Sequence, residues 1–223
     1  MPRKISSIFF GGGTPSLFAP EQISSILLAL SENFGLESDC EITLEANPES
    51  ASDEFLNGIR QAGVNRISVG VQSFDEEVLK VLDRQHSSEN VRRVVSKAKE
   101  LGFKVSIDLI YGSPLESMRS WEQTVQHALE LETNHISSYS LIVEEGTKLA
   151  RLIAKGDLPQ TNEDLNAEKY EYAADRFEAA GLHWYEVSNF GEIARHNLAY
   201  WQSQDWWGYG PGAHSHISGN RFW

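Results

Sequence analysis

Cysteine occurs once in the 223 residues, as Cys40. A lone thiol excludes an internal disulfide and cannot by itself make a multi-thiolate metal site, and it suits a reducing, cytoplasmic setting. Basic residues are also scarce, 19 Lys and Arg against 32 Asp and Glu, for a formal charge of -13 and a pI near 4.9. Proteins that grip a phosphate backbone need a basic face to release counterions, so nucleic acid is not an expected partner. No apolar run approaches the roughly 18 residues of a membrane helix, and "MPRKISSIFF" holds too short an apolar stretch for a secretory signal. No transmembrane segment is therefore expected. Gly-rich or Ser-rich linkers and low-complexity tracts are lacking too. So are a nucleophile elbow and a Ser-His-Asp order, which leaves hydrolase chemistry unsupported.

What the chain does contain is regular alternation. Hydrophobic residues make up 40% of it, enough for one large α/β domain or two small ones. The runs "KISSIFF", "EITLEAN", "RISVGVQ", "KVSIDLIYG" and "HISSYSLIV" are short and rich in β-branched or aromatic residues, the signature of strands. Between them, spacing predicts helices. One begins near Pro20 and carries Ile23, Ile26, Leu27 and Leu30, and another follows a Ser52 cap with Phe55 and Ile59 inward and Gly63 as its stop. A third, capped by Ser87 or Ser88, presents Val91, Val94, Val95 and Ala98, and "SWEQTVQHALELE" gives a fourth. Strand-helix units thus run to about Ala150, the pattern of a parallel sheet or barrel. Composition shifts after about Lys155. There "NAEKYEYAADRFEAAGLHWYEVSNF" reads as a helix, with Tyr170, Ala173, Ala174 and Phe177 inward, a Gly181 stop and a strand, before an end rich in aromatics, histidines and glycines.

In parallel α/β folds, ligands gather at the carboxyl ends of strands. Polar residues stand at those ends here: Gly11, Gly12, Gly13 and Thr14, then Glu45 and Asn47, Gln72 and Ser73, and Asp108 and Tyr111. The glycines would let backbone amides approach a ligand, although a tight strand-to-helix turn alone would also account for them. Glu45 and Asp108 are acids in otherwise apolar strands, costly to bury unless hydrogen-bonded. Gln72 and Arg84 together could hold a carboxylate, while each taken singly reads as structural. Asn197 and Trp201 are one helical turn apart, which serves packing as well as ligand binding. His214 and His216 share a face of a presumed strand but have no third ligand in register.

Taken in order, "GGGTPS", "EANPES", "ISVGVQSFDEEVLKVLDRQH" and "IDLIYGSP" resemble radical S-adenosylmethionine proteins related to oxygen-independent coproporphyrinogen III oxidase. "RHNLAYW" and "GYGPGAHSH" are similar to the sister branch of haem chaperones. The resemblance covers essentially the whole chain. It implies an α/β fold, a partial (βα)6 open barrel lacking its first βα unit, with residues 1–160 as the radical S-adenosylmethionine core and 161–223 as the barrel end and the start of a small α+β region. It implies S-adenosylmethionine as cofactor, with Gly12, Gly13 and Thr14 near the methionine amino group. Glu45, Gln72, Arg84 and Asp108 match further cofactor positions, and Ile142 meets the adenine side. A 4Fe–4S cluster, an electron donor for it, and haem or a porphyrin are the other partners implied, with His196 of the HNxxYW-like element as the haem candidate. The cluster would normally be held by a CxxxCxxC motif, which requires thiolates. That motif is absent, no catalytic or metal-ligating residue is assigned in this chain, and the expectation that follows is an incomplete copy of the family, by truncation, gene-model error or decay. Three functions stay open: a haem chaperone, an oxidative decarboxylase of coproporphyrinogen III, and an inactive fragment.

Overall fold

Residues that alternate between apolar and polar character give a sheet with two unlike faces, and such a sheet is what this chain builds. The computed structural model describes residues 4–223. Five parallel strands come first in the chain: β1 (Ile5–Phe10), β2 (Leu36–Ala46), β3 (Arg66–Gln72), β4 (Lys104–Tyr111) and β5 (His135–Ser140). A hairpin of β6 (Trp184–Glu186) and β7 (Asn189–Gly191) then adds antiparallel to β5, for the order β1-β2-β3-β4-β5-β7-β6. The sheet curls into an open half barrel, as the sequence implied.

One face of every central strand is apolar and lies under the helices. Leu44 of β2, Ile67 and Val69 of β3, Val105, Ile107 and Leu109 of β4 and Ile136 of β5 are each wholly inaccessible. Burial of this kind stabilises by about 1.5–3 kcal/mol per side chain. The covering helices are α1 (Pro20–Phe34), α2 (Asp53–Ala62), α3 (Glu76–Val81), α4 (Ser88–Glu100), α5 (Met118–Glu130) and α7 (Glu163–Ala179), while α6 (Lys148–Lys155) follows β5 with none of its residues buried. Their starts follow local chemistry. The hydroxyl of Ser52 accepts from the Phe55 amide (3.1 Å), that of Ser87 from Asn90 (3.3 Å) and that of Ser117 from Ser120 (3.1 Å). Gly63, at φ +111°, ends α2 in the left-handed region where a Cβ would be strained.

Several details differ from the sequence reading. Strand β2 begins at Leu36, five residues before "EITLEAN". Helix α6 follows β5 without having been expected, because eight residues are too few for a clear period. Tyr111 turns to the helix layer against Trp121 instead of towards a ligand. Ser73 bonds Thr124 (3.2 Å) and the Asp75 amide (3.1 Å), a purely structural duty. Lys169 is the least expected core residue, only 1% exposed inside α7. Its ammonium reaches the Glu116 carboxylate at 2.7 Å and the Glu116 carbonyl at 2.8 Å, which ties α7 to the loop after β4. Beyond β7 lie α8 (Arg195–Trp201) and a separate hairpin, β8 (Ser215–Ile217) with β9 (Asn220–Phe222).

Candidate functional site

The other face of the sheet is polar and encloses a cavity of about 480 Å³. Each strand contributes alternate residues to it: Thr43 and Glu45 from β2, Arg66 and Ser68 from β3, Ser106 and Asp108 from β4, Ser137 and Tyr139 from β5. The period of two thus fixes which residues face the cavity, and the helices never see them.

At the carboxyl end of the strands, Gly13 and Thr14 line the cavity. Gly12 and Gly13 have φ of +76° and +59° with no atom within 4 Å of a would-be Cβ, so backbone conformation alone demands glycine there. The Gly12 amide donates to Glu45 Oε2 at 3.0 Å. Burial pushes the Glu45 carboxyl above its ordinary pKa, the Gly12 amide opposes that rise, and Asp108 adds to it. Asp108 accepts from the Ser68 hydroxyl at 3.0 and 2.9 Å, and its pKa is likewise raised by burial against the pull of Ser137, Ser68 and Arg66. Gln72 is 7% exposed at φ +63°, a left-handed conformation unusual for a side-chain-bearing residue. There β3 breaks register with β4, and the amide folds over Gly70, where a Cβ would come within 2.9 Å of Gln72 Nε2. Arg84 lines the same wall, its guanidinium 3.4 Å from Asn47 Oδ1.

The opposite, amino-terminal end is closed by α8. That helix has no capping side chain of its own, and Glu41 of β2 takes the place: its two carboxylate oxygens accept from the Arg195 and His196 amides, each at 3.0 Å. Arg195 also reaches the Asp39 carboxylate and carbonyl at 2.8 Å each. His196 stacks on Phe9 with ring centroids 5.4 Å apart. Its Nδ1 lies 2.9 Å from the Ser7 hydroxyl and its Nε2 2.9 Å from that of Tyr200, so both nitrogens are engaged. Burial holds its pKa below the ordinary value, with Glu41 opposing.

Most of the residues predicted from sequence therefore meet around one cavity: Gly13, Thr14, Glu45, Gln72, Arg84, Asp108 and His196, with Gly12 joined through Glu45. Ile142 does not. It lies past the end of β5, 74% exposed and away from the cavity wall. Sequence reasoning missed Arg66, His135, Tyr139, Tyr185 and Asn189, all of which line the cavity. The signal for the first was present in the polar alternation of "RISVGVQ". His135 bonds Ser106 (2.7 Å) and Tyr185 (3.0 Å), and Tyr185 in turn accepts from Ala194 and Asn197 (3.4 Å each). The set is satisfied when Tyr185 donates to Nε2 and Nδ1–H donates to Ser106, which is a neutral imidazole. Burial, helped by the Arg66 charge, pushes its pKa well below the ordinary value, in keeping with that form. Among the described residues, no group of three His, Cys, Asp or Glu side chains is placed to hold a metal. No described helix is long and apolar enough to cross a membrane.

Residues 1–128 match the Radical SAM superfamily model. Over 98% of its length the chain is 43% identical to heme chaperone HemW of Mycobacterium tuberculosis, and it covers 57% of that protein. It is 41% identical, over 95% of its length, to the mouse mitochondrial radical S-adenosyl methionine domain-containing protein 1, of which it covers 49%. Among solved structures, coproporphyrinogen III oxidase (HemN) from Escherichia coli superposes with a TM-score of 0.83 at 27% identity. That match covers 96% of this chain and 53% of the other. The chain thus spans about half the length of the relatives it matches.

Proposed function

The chain belongs to the radical S-adenosylmethionine superfamily, and from that premise we propose that its cavity binds S-adenosylmethionine within a haem-handling protein of the haem-chaperone kind. The observation that carries the reading is the convergence of Glu45, Gln72, Arg84 and Asp108, together with Gly13 and Thr14, on one polar cavity. The donor set fits the cofactor's chemistry. Carboxylates at Glu45 and Asp108 suit an ammonium and ribose hydroxyls, Arg84 suits a carboxylate, and the glycines leave room for backbone contact. When bound, S-adenosylmethionine supplies a sulfonium whose reductive cleavage starts radical chemistry. Within this chain, the residues' part is to hold and orient it. Ile142, exposed beyond β5, would need a movement of its loop to join.

A 4Fe–4S cluster does not fit the residues of this chain. Such clusters take several thiolates, whereas the single cysteine, Cys40, is 6% exposed on β2 with its pKa pushed up by burial to about 11. The haem part of the reading rests on the likeness to proteins named heme chaperone and on His196, which burial keeps neutral, the form that ligates a metal. To present Nε2 to an iron, His196 would have to release the Tyr200 hydroxyl.

Isothermal titration of the chain with S-adenosylmethionine tests the first part: saturable binding, weakened at least tenfold by Asp108→Asn, is expected, and a heatless titration of folded protein would refute it. A Soret shift on adding haem, diminished by His196→Ala, is expected for the second part. An identical spectrum in that variant would remove His196 from consideration.

A further inference from the structure

The amino-terminal end of the cavity carries a cation that no described group pairs with directly, although Asp108 lies within its electrostatic reach. Arg66 opens β3 and is 3% exposed, yet its guanidinium lines the cavity. Among the described residues, no carboxylate lies within 4.0 Å of it and none of its side-chain nitrogens makes a hydrogen bond. The acids on the same wall each have other donors: Glu41 has the α8 amides, Glu45 the Gly12 amide, Asp108 the Ser68 hydroxyl. Directly across the β2–β3 ladder from Arg66 stands Thr43, 2% exposed and also lining the cavity, and its hydroxyl is a buried polar atom without a hydrogen-bond partner. A buried hydroxyl left without a partner costs free energy unless something binds there, and the guanidinium across the ladder has donors open to the cavity for the same ligand.

We propose that Arg66 and Thr43 form a subsite for a monoanionic carboxylate at the α8-closed end of the cavity. The planar guanidinium fork matches the two oxygens of a carboxylate, and the Thr43 hydroxyl can donate to one of them. A single cation flanked by Glu41, Glu45 and Asp108 favours one negative charge over two, which selects a carboxylate against a sulfate or a phosphate dianion. His135, neutral between Ser106 and Tyr185, adds no charge nearby. The subsite lies about 20 Å along β3 from Gln72, six residue steps away, and is bordered by the Glu45 and Asp108 carboxylates of the strand-end cluster. Its ligand is therefore a carboxylate on a side arm that reaches deep into the barrel. The inference stands on Arg66 and Thr43 alone and holds whether or not S-adenosylmethionine binds above.

The test uses carboxyl-labelled 13C-propionate as probe, followed by NMR, with propionamide and sulfate as competitors and with thermal unfolding of each variant in parallel. Saturable propionate binding is expected, with propionamide inert and sulfate a weaker competitor. Arg66→Gln should lose the binding at least tenfold and Thr43→Val about threefold. Without propionate, the Arg66→Gln protein should unfold at the same temperature as the parent or higher, since no hydrogen bond or ion pair to a described residue is lost. A merely structural arginine would give the reverse. Absent binding in folded parent protein, equal binding in both variants, or sulfate competing as well as propionate would overturn the assignment. Should Arg66→Gln fail to fold, that too counts as a structural arginine and overturns it.

Discussion

His135 is neutral inside the folded protein and free to protonate when unfolded, so it makes stability depend on pH with a definite sign. Its folded pKa lies below the unfolded value. Above the unfolded pKa of about 6.5, neither state takes up a proton and the contribution is intact. Below it, the unfolded chain gains a proton and stability falls. Urea unfolding at pH 7.0 and 5.5 should show a loss of about 1 kcal/mol from this residue, and His135→Gln should flatten the dependence by that amount. Asp108 shows a second residue-scale effect. Burial raises its pKa, so its ionised form weakens the fold at neutral pH. Asp108→Asn should raise the urea midpoint, by about 1 kcal/mol in stability, while weakening S-adenosylmethionine binding. Such residues were only partly legible in the sequence. Glu45 and Asp108 stood out as acids among apolar neighbours and the alternation of "RISVGVQ" puts Arg66 on their face, whereas His135, at a strand start, looked like an ordinary boundary residue. Only the neighbouring strands reveal that His135 faces a cavity.

Among elements, α8 is held by a residue 154 positions away. Glu41 supplies both of the acceptors that its first turn lacks, so Glu41→Ala should cost about 2 kcal/mol, as for loss of charged hydrogen bonds at a cap. Hydrogen exchange should speed up at the Arg195 and His196 amides and leave those of β3 and β4 protected. No local pattern announces this kind of cap, because Ala194 at the N-cap position has no side-chain acceptor. The helices with their own Ser caps, α2 and α4, were legible for the opposite reason. Short α6 escaped notice although its Thr147 cap, accepting from the Ala150 amide at 3.1 Å, is of the same kind.

At the scale of the whole molecule, the Lys169–Glu116 pair joins α7 to the loop after β4 through a fully buried ion pair, and Trp121 donates to the Lys169 carbonyl at 2.8 Å. Lys169→Met should cost about 3–5 kcal/mol because it strands the Glu116 carboxylate. Adding Glu116→Gln, which keeps an acceptor for the Gly112 amide, should restore at least half of that loss in urea unfolding. The strand-helix order that sets the half barrel was readable from hydrophobic period. This tie was not, since a lysine amid "AEKYEY" reads as solvated until the loop carrying Glu116 packs over it.

The two-faced sheet has a consequence for how such a protein can change. Because Ile67, Val69, Ile107 and Leu109 carry the packing on one side and Ser68, Gly70, Ser106 and Asp108 the cavity on the other, neighbouring codons answer to different selection. Drift at every second position of a strand can rewrite what the lumen accepts while the intervening positions preserve the scaffold, so one lineage can move between ligands without passing through an unfolded ancestor.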